Sequence, residues 1–153
     1  MRILFEDNHV LVAVKPPMVP TQADASGDAD MLGMVREYLR ETYHKPGNVY
    51  VGLLHRLDRP VGGVMVFAKT SKAASRLSRQ IREGGMQKEY LAVVHGLPPA
   101  EGRMEDFLLK DGTKNRVKVV REGIPGAKRA ALSFRREAAR RDRSLVRVFL
   151  ETG

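Results

Sequence analysis

The chain has 153 residues, of which 42% are hydrophobic, and its 27 Lys and Arg against 18 Asp and Glu leave a formal net charge of +9. This size suits one globular domain, with two small lobes as the alternative. The absence of cysteine excludes disulfides, thiolate nucleophiles and zinc–thiolate sites, and no apolar run approaches the roughly 20 residues that cross a bilayer.

The excess positive charge predicts a polyanionic partner. It is spread along the chain and is densest in "RREAARRDR" (Arg135–Arg143), where five arginines stand against two acids. This distribution favours a folded basic surface over a disordered basic arm, and it leaves a nucleic-acid enzyme and a nucleic-acid binder equally open. Because Glu6 and Asp7 interrupt the N-terminal apolar residues, a secretory signal is not predicted and a cytoplasmic location is expected.

The N-terminal half predicts a hairpin, a helix and two buried strands. The runs "RILFED" and "VLVAVK" flank the turn-rich "DNH", as in a β-hairpin, and Pro16-Pro17 ends the second run. An amphipathic helix is predicted over 31–42 because apolar residues recur there at three- and four-residue steps: Met31, Leu32, Val35 and Leu39. The runs "VYVGLLHRL" and "GVMVFAKT" then predict two buried strands.

The C-terminal half predicts one helix and five further strands. Ser71 is the expected N-cap of a helix that runs to about Glu83, with an outer face carrying Lys72, Arg76, Arg79 and Arg82. The later strands are "QKEYLAVVHG", "FLLK", "RVKVV", "RAALSFRRE" and "LVRVFLET". The expected class is α+β, with a mainly antiparallel mixed sheet and flanking helices.

Metal and cofactor motifs are missing from the sequence. There is no Gly-rich phosphate loop, no Ser-His-Asp pattern and no His-x-Glu spacing, and the four histidines are isolated. We therefore expect no metal catalysis, and any chemistry falls to the carboxylates.

Asp58 has the most unusual surroundings of these carboxylates, in the stretch "HRLDRPVGG" between two apolar runs. An adjacent arginine favours its ionised form, in which it can act as a nucleophile or base. The alternative is that Asp58 simply accepts backbone hydrogen bonds in the turn formed by Arg59-Pro60. Tyr90 in "KEYLAV" is equally open, because tyrosine also suits strands for packing reasons alone.

Two motifs together carry a family resemblance. The box "HRLDRPVGGVMVFAKT" is followed, after a predicted helix, by the strand "QKEYLAVVHG", and the N-terminal "ILFEDNHVLVAVKPPMVP" has a strand pair that leads into Lys-Pro. In these motifs and in their order the chain resembles RluA-type pseudouridine synthases, from about Ile3 to Gly153.

The resemblance implies isomerisation of uridines to pseudouridine in structured ribosomal or transfer RNA, without metal or organic cofactor. A monomer is the default expectation, and no membrane partner is expected. It makes Asp58 the catalytic aspartate and Tyr90 the residue that holds the target base and helps to remove its carbon 5 proton. Arg56 would enter the RNA stack as the uridine is flipped out. The expected RNA-binding residues are His55, Arg56, Arg59, Arg76, Arg79, Arg82 and Lys88.

The chain departs from the family pattern at two places. Glycine stands at position 62, where the family commonly has serine, and the sequence stops where the family continues into Arg-x-His-Gln-Ile-Arg. We therefore expect residues 1–153 to form a single catalytic domain that is incomplete at its C-terminus, without an appended N-terminal RNA-binding domain. The alternatives are a catalytically silent RNA-binding relative and a hydrolase, which would require a second carboxylate opposite Asp58.

Overall fold

A computed structural model describes residues 1–113 and 116–152 of the chain. The chain divides into two compact units, Met1–Glu83 and Gly84–Gly153. Each unit contains one sheet, and the strand pairs described in both sheets are antiparallel. The α+β class is therefore confirmed, although the strands form two sheets where the sequence predicted one.

The sheet of the first unit has four strands in the order β1-β2-β4-β3. Their bounds are β1 Arg2–Glu6, β2 Val10–Lys15, β3 Gly52–Leu53 and β4 Gly63–Ala68. The predicted hairpin of β1 and β2 is confirmed, and its turn is closed by the Asp7 carboxylate, which accepts hydrogen bonds from the main-chain N–H groups of His9 (2.7 Å) and Val10 (2.6 Å). Such a side-chain cap is a standard use of aspartate in turns.

Strand β3 is much shorter than the predicted "VYVGLLHRL". Only Gly52 and Leu53 pair with β4, and the residues from Leu54 to Asp58 leave the sheet. In this stretch the main-chain groups of Leu57 are bound by the buried Thr21 side chain, described below, and not by a neighbouring strand. Gly52 has its own steric role, since a Cβ there would lie 2.9 Å from the Cβ of Ala74 in the following helix.

Helix α1 (Met31–Thr42) has the predicted bounds. It begins at Asp30, whose Oδ1 accepts a hydrogen bond from the Gly33 N–H at 3.0 Å, satisfying one of the free donors of the first turn. Three of the four apolar residues predicted for its inner face are buried, and Leu32 is half-buried.

Helix α2 (Ser71–Arg82) begins one residue earlier than the sequence suggested. The N-cap is Thr70, not Ser71, and the Thr70 hydroxyl accepts a hydrogen bond from the Ala73 N–H at 3.2 Å. Both residues carry a hydroxyl, but the extended backbone of Thr70 (φ −137°, ψ 152°) suits a cap, while Ser71 is already helical. Neither helix within the described chain is long and apolar enough to span a membrane.

The core of the first unit lies between its sheet and helix α1. The fully buried apolar side chains there come from β2, α1 and β4: Leu11, Ala13, Met31, Val35, Met65, Phe67 and Ala68. Burial of these side chains is the main stabilising contribution in this unit.

A polar cluster joins helix α1 to the end of β4 that is remote from Gly63. The Lys69 side chain is 8% exposed, and its ammonium donates to Glu6 Oε1 and to the Asp7 carbonyl, both at 2.6 Å. The Tyr38 and Tyr43 hydroxyls donate to the two oxygens of the same Glu6 carboxylate, at 2.9 and 2.7 Å. Burial opposes ionisation of Glu6, but these hydrogen bonds lower its pKa overall. Lys69 is therefore held within the first unit by these contacts.

The second unit contains a five-stranded sheet in the order β5-β9-β8-β6-β7. The strand bounds are β5 Lys88–His95, β6 Glu101–Asp111, β7 Arg116–Val120, β8 Lys128–Arg140 and β9 Arg143–Leu150. All five predicted strands are present, and β6 and β8 are longer than their apolar runs because polar residues continue the ladder at both ends.

The two faces of this second sheet differ in chemistry. On one face the arginines of the strands are paired with glutamates, and both partners are partly exposed. The pairs are Arg103 with Glu105 and Glu151, Arg129 with Glu105, Arg135 with Glu137, and Arg147 with Glu89 and Glu137. We call this the ion-paired face. The opposite face carries mainly apolar side chains, among them Leu132, Phe134, Val146 and Val148.

The ion-paired face predicts acid sensitivity. Hydrogen bonds from Arg129 and Arg103 lower the pKa of Glu105 from 4.5 to about 2. A depressed folded pKa stabilises the fold above pH 4.5, and this contribution is lost as the pH falls towards 2. We expect Glu105→Gln to lower the urea midpoint of unfolding at pH 7 and to have much less effect at pH 3.

The matched control for this prediction is Glu122→Gln, because Glu122 is exposed and has no ion pair within residues 1–113 and 116–152. Its effect on the urea midpoint should be small at both pH values. A Glu105→Gln effect of equal size at pH 7 and pH 3 would show that the carboxylate charge does not contribute to stability.

Candidate functional site

The connection between β3 and β4 holds Asp58 at the surface. Residues 54–62 have no regular structure apart from a turn at Arg59 and Pro60, and the Asp58 carbonyl accepts a hydrogen bond from the Val61 N–H at 2.9 Å. Leu57 is buried, while Asp58 is exposed. We call residues 54–62 the Asp58 loop.

Thr21 binds the main chain of the Asp58 loop on the N-terminal side of the aspartate. The Thr21 residue is only 6% exposed. Its hydroxyl donates to the Leu57 carbonyl at 2.6 Å and accepts from the Leu57 N–H at 3.2 Å. One buried hydroxyl therefore satisfies both polar groups of the residue before Asp58, which a buried backbone requires.

Lys15 binds the main chain on the other side of the aspartate. It is 0% exposed, and its ammonium donates to the carbonyls of Arg59 (3.1 Å), Pro16 (3.2 Å) and Val19. Burial lowers the pKa of the Lys15 ammonium below its ordinary value, and the negative charge of Asp58 acts in the opposite direction. The residues before and after Asp58 are thus each held by a buried side chain.

The Asp58 carboxylate is free of the contacts that a structural aspartate would make. Among the described residues, no hydrogen bond or ion pair engages its side-chain oxygens, and the turn is closed by its main-chain carbonyl. Asp58 therefore takes part in the turn at Arg59-Pro60 as the alternative expected, but through its main-chain carbonyl, which leaves the carboxylate outside these contacts. A carboxylate on a fixed backbone, exposed and unengaged, is available to react.

The side chains of Arg59, His55 and Arg56, close to Asp58 in sequence, make different contacts. The Arg59 guanidinium donates to the Ser26 hydroxyl at 3.0 Å and pairs with Asp28 and Asp24, so its charge is balanced inside the unit. His55 Nε2 accepts a hydrogen bond from the Val66 N–H at 3.0 Å, which attaches the start of the Asp58 loop to β4. Arg56 is exposed and forms no ion pair with the described residues.

Gly62 allows the end of the Asp58 loop to approach the Lys-Pro segment closely. A Cβ at this position would lie 3.1 Å from Pro17 Cδ and 3.4 Å from the Lys15 carbonyl oxygen. These distances are tighter than ordinary contacts, so a serine here would require a small shift of the neighbouring proline. The departure from the family pattern at position 62 thus accompanies tight local packing.

Tyr90 and Lys88 lie on β5 in the second unit. Tyr90 is half-buried and pairs in register with Val148, which in turn pairs with Phe134. Because residues that pair directly share a face, and residues two apart in a strand do too, Tyr90 and Lys88 both lie on the face opposite the ion-paired one.

The outer face of helix α2 is basic. It carries four exposed cations at three- and four-residue steps, none of which forms an ion pair with any residue in the described ranges: Lys72, Arg76, Arg79 and Arg82. Within the same ranges, no group of three or more His, Cys, Asp or Glu could hold a metal ion.

Comparison with known families assigns the chain to one of them. Residues 9–153 match the model of the family described as RNA pseudouridylate synthase. The chain belongs to the RNA pseudouridylate synthase family. The resemblance drawn from the His-Arg-Leu-Asp box and the Lys-Glu-Tyr strand is thereby confirmed.

Relatives of this synthase family include ribosomal large subunit pseudouridine synthases. The chain is 38% identical over 120 residues to synthase C of Buchnera aphidicola subsp. Acyrthosiphon pisum, covering 78% of this chain and 36% of the relative. It is 35% identical over 156 residues to synthase C of Escherichia coli (strain K12), covering 99% and 46%. It is 30% identical over 155 residues to synthase D of Zymomonas mobilis, covering 100% and 49%. The chain thus spans half or less of the length of these relatives.

The fold is also shared with solved synthase structures. Human RNA pseudouridylate synthase domain containing 4 superposes with a TM-score of 0.82 at 20% identity, covering 99% of this chain and 59% of that one. Human RNA pseudouridylate synthase domain containing 1 gives a TM-score of 0.73 at 22% identity, covering 99% and 60%. At these identities the likeness concerns the fold alone.

Sequence reasoning missed two residues that hold the backbone of this candidate site, Lys15 and Thr21. A signal for Lys15 was present, because the period of two in β2 places it on the same face as the buried Leu11 and Ala13. A lysine in phase with a buried face needs partners for its ammonium, and carbonyls near the following prolines provide them. Thr21 lies in an irregular segment, where no periodicity indicates which side chains turn inward.

Proposed function

We propose that this chain carries the catalytic aspartate of an RNA pseudouridine synthase that acts, as a monomer in the cytoplasm, on uridines of large-subunit ribosomal RNA. The observation that carries the proposal is the exposed, unengaged Asp58 carboxylate, held on both sides by the buried Thr21 and Lys15. The names of the relatives support ribosomal RNA as the substrate.

The proposed reaction is an isomerisation that needs no external reactant. The bond between N1 of uracil and C1′ of ribose breaks, the base turns, and a bond forms between C5 and C1′. A proton leaves C5 and N1 gains one, so that atoms and charge balance. The Asp58 carboxylate would begin this sequence by acting on the ribose or the base as nucleophile, or by removing a ribose proton.

Access to the target uridine requires that it leave the base stack. Extrusion of a base costs a few kcal/mol, which contacts in the enzyme must offset. We assign Tyr90 the role of contacting the extruded base and of assisting proton removal from C5, because a half-buried aromatic ring suits stacking on any base. Arg56, exposed and without an ion pair in the described ranges, is the candidate to occupy the vacated position in the RNA.

The direct test is to incubate the protein, as its genome encodes it, with transcripts of large-subunit rRNA and of tRNA labelled with tritium at uridine C5. Release of tritium from the rRNA transcript is expected, because the C5 proton is lost in the reaction. Tritium release from the tRNA transcript alone would mean that the substrate is transfer RNA and not ribosomal RNA. RNA binding without release from either transcript would favour the catalytically silent relative over the enzyme.

The basic face of helix α2 should bind phosphates without reading sequence. We expect the double variant Arg76→Gln/Arg79→Gln to reduce the slope of log affinity against log salt concentration by about 1.4 to 1.8. Each arginine that neutralises one phosphate accounts for about 0.7 to 0.9 of this slope. Titration of rRNA transcripts at several salt concentrations measures it.

Arg59→Gln is the control for this measurement, because the Arg59 charge is already balanced by Asp24 and Asp28. Its salt slope should change by much less than about 0.7. If Arg59→Gln reduces the slope as much as a single α2 substitution does, then Arg59 leaves its acidic partners to bind RNA.

A further inference from the structure

The turn between β8 and β9 concentrates positive charge. Strand β8 ends at Arg140 and β9 begins at Arg143, so that Arg141 and Asp142 form the two-residue connection. All four residues are exposed. We call residues 140–143 the arginine turn.

The arginines of this turn differ from the other arginines of their strands. Those on the ion-paired face, such as Arg135 and Arg147, have glutamate partners that balance their charge. No ion pair engages the three arginines of the turn anywhere in the described part of the chain, and the Asp142 carboxylate instead lies 3.9 Å from His95 Nδ1. The turn therefore presents unbalanced positive charge to solvent.

The backbone of the arginine turn is fixed. Arg143 pairs in register with both Arg140 and His95. The Asp142 carbonyl accepts a hydrogen bond from the Gly96 N–H at 2.6 Å, and the buried Ser144 hydroxyl donates to the Gly96 carbonyl at 2.8 Å. A binding group on a fixed backbone loses less conformational entropy when it binds than one on a mobile loop.

Arg141 adopts a backbone conformation that glycine would adopt more easily. Its φ is +56°, in the left-handed region, where a Cβ is unfavourable and where hairpin turns usually have Gly, Asn or Asp. Strain of this kind is concentrated at functional positions. An arginine in place of the residue that the turn prefers indicates that the side chain itself is used.

We propose that the arginine turn binds phosphate groups of structured RNA, as a further binding surface in addition to the Asp58 loop and helix α2. The proposal rests on the RNA-directed function proposed above. Guanidinium groups bind phosphate oxygens through paired N–H donors, and such contacts position a nucleic acid without reading its bases. Three arginines around one fixed turn suit two or three neighbouring phosphates.

The test uses Arg141→Gly, which removes one charge and also the backbone strain. We expect the melting temperature to stay the same or to rise by up to about 4 °C. At the same time the slope of log affinity against log salt for an rRNA transcript should fall by about 0.7 to 0.9. A gain in stability combined with a loss of RNA affinity is not expected if the residue has only a structural role.

Two further variants complete the test. Arg140→Gln/Arg143→Gln should reduce the salt slope by about 1.4 to 1.8, whereas Arg135→Gln, on the same strand but ion-paired, should leave the slope nearly unchanged. If the unmodified protein binds the transcript with a clear salt slope and the arginine-turn variants match it, this proposal is overturned and the proposed function stands. If the unmodified protein does not bind rRNA or tRNA transcripts, both fail.

Discussion

Replacing Asp58 with asparagine is expected to abolish pseudouridine formation, lowering turnover by about 10³-fold or more, because asparagine keeps the shape of the side chain but lacks its charge and basicity. The fold should be unaffected. Asp58 is exposed and its side chain makes no hydrogen bond within the described ranges, so the free energy of unfolding should change by less than about 0.5 kcal/mol. Tritium release and urea unfolding, measured on the same preparation, separate the two effects.

Glu122→Gln is the charge-matched control, since it also removes one exposed carboxylate. Turnover should match that of the unmodified protein. Undiminished tritium release by the Asp58→Asn variant would show that Asp58 is not the catalytic group. Another residue of this family member would then have to carry out the reaction. RNA affinity should remain close to normal in both variants, because the phosphate contacts are assigned to other residues.

The second large effect is expected from Lys15→Met, which has nearly the same length as lysine but cannot donate. Three carbonyl oxygens, those of Pro16, Val19 and Arg59, would lose their donor, and we expect a loss of about 1 to 3 kcal/mol in the free energy of unfolding. Turnover per folded molecule should fall about 10²-fold, because the residue that follows Asp58 would no longer be held in place.

Lys69→Met is the control that distinguishes catalytic positioning from general stability. Lys69 is also nearly buried and hydrogen-bonded, but it follows Ala68, whereas Lys15 pairs with Gly63 at the other end of β4. The Lys69→Met substitution should destabilise the fold and leave turnover per folded molecule unchanged. An equal loss of turnover in both variants would mean that Lys15 acts only through stability.

The pH dependence of stability should differ in sign between these two lysines. The folded pKa of Lys15 is lowered, so the unfolded state binds more protons as the pH approaches 10.5, and the stability of the unmodified protein relative to Lys15→Met should rise there. Burial opposes the shift at Lys69, but hydrogen bonds to Glu6 and Tyr43 raise its pKa overall. The stability advantage of the unmodified protein over the Lys69→Met variant should therefore be lost as the pH rises above 10.5. Urea unfolding between about pH 8 and 11 would measure both.

Elements with strong periodicity were predictable from the sequence, and elements shaped by side-chain hydrogen bonds were not. Helix α1 was predicted at its observed bounds because its apolar residues repeat every three to four positions. The apolar run before Asp58 was predicted as a strand, since propensity does not reveal that Thr21 occupies the backbone of Leu57. Among residues 1–113 and 116–152, the pairing of nine strands into two sheets depends on contacts distant in sequence, which local patterns do not specify.

The candidate site, like the fold, was only partly predictable from the sequence. The motifs indicated Asp58 and Tyr90 as candidate site residues. They did not indicate the burial, hydrogen bonds and charges around these two side chains. Arg59 illustrates the difference, because its position beside Asp58 suggested an RNA contact, while its guanidinium binds Asp24 and Asp28. The partners of a long, flexible side chain depend on the path of the surrounding loops, and "TQADASGDAD" has no periodicity from which that path could be inferred.

The attachment of the Asp58 loop to Lys15 and Thr21 has a consequence for tracing how such enzymes lose their activity. A chain can keep the His-Arg-Leu-Asp box intact and still lose this backbone attachment through substitutions at Lys15 or Thr21, more than thirty residues upstream of the box. If Lys15→Met lowers turnover as expected, the box alone does not identify an active chain, and the residues at these two upstream positions must be read together with it.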